Sequence, residues 1–174
     1  MSAPVSQIVV MGVSGTGKST VGALLAEHLG VALVEGDSHH PRANIEKMSA
    51  GIPLDDADRL PWLQTLAGIT AEQHAAGLPT VLTCSALKRR YRDVLRGAVA
   101  GRTTFFVHLH ADAAVLEARM RCREHFMPPS LLRSQLETLE PLQPDETGVV
   151  LDVVEPVDRV TADALAALRR FAPA

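Results

Sequence analysis

The residues best equipped for chemistry stand at 12–20. Gly12-Val13-Ser14-Gly15-Thr16-Gly17-Lys18-Ser19-Thr20 fills the pattern G-x-x-x-x-G-K-[ST] at every fixed position. In that spacing the glycines let backbone N–H groups turn inward around phosphate oxygens, and the start of a following helix adds partial positive charge. Lys18 then reaches the β- and γ-phosphates of a nucleotide, and the Ser19 hydroxyl ligates Mg²⁺. The pattern demands a strand before it and a helix after it, and both are legible. Gln7-Ile8-Val9-Val10-Met11 is a short apolar run, and Val21, Leu24, Leu25, His28 and Leu29 recur at helical spacing. A glycine- and serine-rich turn that matched by chance would lack those flanks.

Further candidates lie downstream. Val31–Val34 reads as a second buried strand running straight into Glu35-Gly36-Asp37. Acids leaving the carboxyl end of a strand in an open α/β sheet face the crevice where ligands gather, although a charged turn reads the same way. In a short helix from Pro41 to Ser49, His40, Asn44 and Lys47 fall at i, i+4 and i+7 and share one polar face, which is either solvated or ligand-facing. Lys88-Arg89-Arg90-Tyr91-Arg92 is a basic cluster at the start of another helix. Arg119, Arg121 and Arg123 alternate before Pro128-Pro129, as a solvated helix end or as a cover that lays guanidinium groups on transferring phosphates. His108 and His110 share a strand face, but no third metal ligand accompanies them.

The elements that must position these groups follow from the rest of the chain. A length of 174 residues suits one domain, 1–174, with a single core. With 47% apolar and 21% charged residues the chain is not disordered, and no apolar run approaches the ~20 residues of a membrane span. A net charge of −3 and 3% aromatic residues leave neither a polyanion footprint nor stacking platforms, so no nucleic acid is expected as partner. Cys84 and Cys122 lack metal-ligand spacing and read as reduced thiols, with a cytoplasmic location as the default.

Strand signals recur at Thr80–Cys84, Thr103–Leu109 and Val149–Val154. Helical signals recur at about Leu60–Ala76, Lys88–Arg96, Asp112–Cys122, Ser130–Leu139 and Pro156–Phe171. This alternation predicts a three-layer α/β domain on a five-stranded, largely parallel sheet. Guanine-reading N-K-x-D is absent, and Asp145-Glu146-Thr147-Gly148 follows prolines rather than a buried strand, so it reads as a turn. A small ATP-dependent kinase acting on a small molecule is the reaction class that remains.

The chain resembles the gluconokinase family of small P-loop kinases, related in architecture to shikimate and nucleoside-monophosphate kinases. The family's runs G-D-x-x-H-P-x-x-N-x-x-K-M and G-x-P-L-x-D-x-D-R-x-P-W-L are matched by Gly36-Asp37, His40-Pro41, Asn44, Lys47-Met48, Gly51, Pro53-Leu54, Asp56, Asp58-Arg59 and Pro61-Trp62-Leu63. Cys84-Ser85-Ala86-Leu87-Lys88, Tyr91-Arg92, Arg119, Arg123, Ser134-Gln135, Leu139-Glu140 and Asp145-Glu146 extend the match. Glu35 departs from it, where relatives often have Asp.

The resemblance implies transfer of the ATP γ-phosphoryl group to the 6-hydroxyl of D-gluconate, with ATP and Mg²⁺ as cofactors. It implies a substrate-binding part at about 36–77 and a cover at about 119–130. Asp37 is the expected acceptor of the hydroxyl proton, with Lys18 and Arg123 acting on the phosphoryl group and Arg119 near the nucleotide. His40, Asn44, Lys47, Arg59, Lys88 and Arg92 supply the types an open-chain sugar acid needs. Arg59 is the first choice for the carboxylate, with Lys88 and Arg92 as alternatives. Dimers are common in that family, so a homodimer is the expectation. Other acceptors on the same fold, such as shikimate or a nucleotide, and a regulator that holds nucleotide without turnover are the competing readings.

Overall fold

The computed structural model describes residues 5–122, 128 and 130–171. Five parallel strands form one sheet in the order β2-β3-β1-β4-β5, with β1 Val5–Met11, β2 Ala32–Glu35, β3 Thr80–Thr83, β4 Thr103–His110 and β5 Gly148–Asp152. The helices are α1 Lys18–Leu29, α2 Arg42–Ser49, α3 Asp56–Ala75, α4 Arg89–Gly97, α5 Ala113–Arg121, α6 Ser130–Thr138 and α7 Val157–Phe171. A short 3₁₀ turn covers Gly36–His39.

The central strand is apolar without alternation because both of its faces are covered: Ile8, Val9, Val10 and Met11 are all buried. By contrast β5, at one edge, alternates between half-buried and exposed residues. The chain moves outward from β1 to β2 and returns in the opposite direction through β3, β4 and β5. Right-handed crossovers therefore put α1 on one face and α3 and α4 on the other. The same reversal leaves a crevice at the carboxyl end of β1, where ligands collect in such sheets.

The fold class agrees with the sequence expectation, and the boundaries shift by a few residues. The largest shift is in α3, which begins at Asp56 rather than Leu60. Asp55 accepts from Asp58 N–H while Asp58 accepts from Asp55 N–H, a reciprocal cap that sets the first turn ahead of Pro61. Among the described residues no helix is long and apolar enough to cross a membrane.

Candidate active site

The phosphate loop leaves β1 at the crevice. Gly12, Gly15 and Gly17 hold φ of 140°, 84° and 88°, and a Cβ on Gly12 would lie 2.5 Å from the Leu109 carbonyl oxygen. A side chain at that position would force the loop off β4. The loop is also tied to itself and to the next strand. Thr16 Oγ1 donates to the Val13 carbonyl at 2.8 Å, Lys18 Nζ donates to the same carbonyl at 3.1 Å, and Gly12 N donates to the Ser85 carbonyl at 3.3 Å. Burial lowers the Lys18 pKa, and the Asp37 carboxylate is the main opposing influence.

At the end of β2, Glu35 Oε1 accepts from Ser19 Oγ at 3.0 Å, and the Thr83 hydroxyl donates to the same oxygen. A hydroxyl and a carboxylate side by side at the head of α1 are hard oxygen donors, the kind Mg²⁺ takes when phosphates supply the remainder. The sequence assigned no role to Glu35. Its signal was its position two residues before Asp37 at a strand end.

Asp37 is carried by the 3₁₀ turn, which is held against β3. Gly36 N donates to Thr83 Oγ1 at 3.2 Å, the Gly36 carbonyl accepts from Trp62 Nε1 at 2.8 Å, and a Cβ here would be 2.1 Å from the Thr83 carbonyl oxygen. Only glycine lets the turn approach so closely. Asp37 Oδ1 lies 3.7 Å from His40 Nε2, and the His40 ring stacks on Trp62 at 4.0 Å with an 18° tilt.

Asp37, His40 and Arg59 open onto one cleft together with Ser14, Lys18 and Ser85. Met48, Pro53, Leu54 and Leu131 form its apolar wall, and Ser134 and Gln135 of α6 complete it. The sequence motif singled out Ser85, Ser134 and Gln135 without giving them a task.

Arg59 is buried at 7% exposure, donates from Nε to the Leu54 carbonyl at 3.3 Å, and lies 5.8 Å from the Tyr91 ring centroid. Its terminal nitrogens have no hydrogen-bond or ion-pair partner among the described residues. Desolvation lowers its pKa, with Tyr91 the first of the opposing influences. The group remains a cation beside the cleft.

Asn44, Lys47 and Lys88 stand behind the residues that line the cleft, Asn44 within 3.4 Å of His40 Nδ1. Asn44 Nδ2 donates to the Asp58 carbonyl at 3.0 Å, and Lys47 Nζ reaches both Asp58 carboxylate oxygens at 2.8 Å, so that face of α2 is turned onto α3. Lys88 pairs with Asp56 at 3.1 Å, where Arg90 and the Tyr91 hydroxyl also converge.

Arg92 corrects the sequence expectation. It is fully buried behind the site and bonds Glu146 through Nε at 2.7 Å and Nη2 at 2.8 Å, and its terminal nitrogens donate to the carbonyls of Ala86, Glu140 and Pro141. It therefore holds the loop after β3, including the left-handed Ala86 at φ 46°, and offers nothing to a ligand. Arg119 donates to the Val153 carbonyl. Arg123 lies outside the described residues, as does half of the expected cover.

Comparison with known proteins identifies the family. A family model described as an AAA domain matches residues 8–142. The gluconokinase of Gluconobacter oxydans (strain 621H) is 55% identical over 140 residues, 80% of this chain and 78% of the relative. The thermoresistant gluconokinase of Escherichia coli (strain K12) is 41% identical over 93% of each chain. The crystal structure of a gluconokinase from Sinorhizobium meliloti 1021 superposes with a TM-score of 0.87 at 49% identity, covering 99% of this chain and 95% of the other. The chain belongs to the gluconokinase family of P-loop kinases.

Proposed function

We propose that this protein phosphorylates D-gluconate on its 6-hydroxyl with ATP, giving 6-phospho-D-gluconate and ADP. The observation that carries this reading is the Arg59 guanidinium, whose terminal nitrogens have no hydrogen-bond or ion-pair partner among the described residues, on the cleft that also holds Lys18 and Asp37. A largely buried cation with no direct ion-pair partner suits an anionic acceptor, whose carboxylate its planar fork can bind with two bonds.

In this reading the Arg59 fork takes the sugar-acid carboxylate and His40, oriented by Trp62, takes a hydroxyl. Asp37 accepts the proton of the attacking 6-hydroxyl. The new bond forms between that oxygen and the γ-phosphorus as the bond to the β-phosphate oxygen breaks, while Lys18 and the loop N–H groups hold the phosphate charge. Ser19 and Glu35 are the residues suited to hold Mg²⁺, which when bound neutralises phosphate charge.

The reading is tested by ADP release in a coupled assay with gluconate, shikimate and nucleoside monophosphates as acceptors. Stimulation by gluconate is expected. Preference for another acceptor would replace the substrate, and nucleotide binding with no acceptor-stimulated ADP release would make the protein a regulator. Asp37→Asn is expected to lower kcat far more than it weakens ATP binding; a collapse of ATP affinity instead would move Asp37 to the metal site.

A further inference from the structure

Leu131, Ser134 and Gln135 lie three and four residues apart on α6, which places them on one face, and all three line the cleft. At one end of this face Gln135 Oε1 accepts from the Ser14 N–H at 2.8 Å and from Ser14 Oγ at 3.2 Å. Two donors on one oxygen settle the amide orientation, with the carbonyl end on the phosphate loop. At the other end Leu131 packs with Met48 of α2 and Leu54 in an apolar cluster separate from the main core. One helix face thus bridges the nucleotide side and the acceptor side of the cleft.

We propose that Gln135 is a positioning residue that makes nucleotide and acceptor binding interdependent, by tying the phosphate loop at Ser14 through α6 to the Met48–Leu54–Leu131 wall. Leu132 and Leu136 anchor the back of α6 in the main core, so the bridge works through its cleft-facing side chains, which pack on a small apolar wall that stands apart from that core. A nucleotide that stabilises the loop favours the docked helix, and the docked helix completes the acceptor wall. The acceptor acts in reverse, by the same factor.

The inference rests on reading the cleft as a joint ATP and gluconate site. Calorimetry on the full chain, measuring gluconate affinity with and without the β,γ-imido analogue of ATP and Mg²⁺, tests both. In the wild type the analogue is expected to tighten gluconate binding by about fivefold or more, the lower end of ordinary coupling. Gln135→Met keeps the volume and removes the hydrogen bonds, and is expected to reduce that factor below about twofold. Leu131→Ala, which touches only the acceptor end, should do the same. A purely structural role for Gln135 would lower the melting temperature and leave the coupling factor unchanged, which would overturn the proposal. So would equal gluconate affinity with and without nucleotide in the wild type, although the acceptor assignment would then stand. Failure of the wild type to bind gluconate in either state would overturn the acceptor assignment and the interlock with it.

Discussion

Arg59 on α3 and Arg92 on α4 are both buried guanidinium groups, and they use their hydrogen bonds in opposite ways. Arg92 bonds both Glu146 oxygens and four backbone carbonyls with its three nitrogens. Burial pushes the Glu146 carboxyl up, but bonds from Arg92 and the Gln143 N–H more than offset this and keep it below its usual pKa. Among the described residues Arg59 makes one hydrogen bond, to the Leu54 carbonyl, and it lines the cleft. Burial alone does not separate a structural arginine from a ligand-binding one. What separates them is whether the protein itself has satisfied the charge before any ligand arrives.

Breaking the satisfied pair has the largest expected effect. Arg92→Met removes both short guanidinium bonds to the buried Glu146 carboxylate, leaving it the Gln143 N–H and the more distant Arg89 and Arg96 at 3.9 and 3.8 Å, and is expected to cost up to about 3–5 kcal/mol in denaturant unfolding. Adding Glu146→Leu should recover much of it, because an apolar pair avoids both desolvation costs. If the double variant is no more stable than the single, the loss comes from the carbonyls of the loop after β3 rather than from the stranded carboxylate.

His108 sharpens the comparison, because it is buried with neither ring nitrogen bonded yet does not line the cleft. Burial pushes its pKa down to about 4, with His110 and Arg92 adding to the shift. Between the ordinary histidine value and that point the unfolded chain binds a proton that the folded one does not. The stability is therefore complete above about pH 6.5 and lost as pH falls toward 4, by about 3 kcal/mol at most. His108→Leu should flatten the loss of stability across that window relative to the wild type; equal pH profiles for the two would show that other groups govern acid unfolding.

The open cation comes next. Arg59→Met is expected to raise the KM for gluconate on the order of 10- to 100-fold, since bonds to charged groups contribute about 1.5–3 kcal/mol. The same change should alter the melting temperature little, because only the Leu54 carbonyl, and no charged partner, loses a bond. A clear fall in stability with unaltered KM would place Arg59 in the same class as Arg92.

The smallest effect is expected at Lys88, whose ion pair with Asp56 is partly exposed and away from the cleft lining. Lys88→Ala should change the gluconate KM by less than about threefold. A loss matching that of Arg59→Met would mean that the two cations share the carboxylate.

Several features of this protein are determined by short stretches of chain. The β1–loop–α1 unit is legible because each part has a local cause: an unbroken apolar run for a strand covered on both faces, glycines where φ must be positive, and helical spacing from Val21 onward. The parallel sheet follows from alternating signals and from the handedness of crossovers. Asp37 at the end of β2 is likewise placed by topology, because strand ends in such a sheet face the crevice.

What no local rule decides is the partner a side chain meets. The i, i+4, i+7 spacing put His40, Asn44 and Lys47 on one expected helix face, but in the packed structure His40 precedes α2 and lines the cleft while Asn44 and Lys47, on α2, turn onto Asp58. Arg92 and Arg59 carry the same group, and their fates differ because Glu146, 54 residues from Arg92, folds back to meet one and not the other. The Gln135 contact with Ser14 spans 121 residues in the same way. Periodicity records which residues share a face, whereas hydrogen-bond satisfaction depends on groups brought together by tertiary packing, and it is that satisfaction which separates ligand-binding residues from structural ones here.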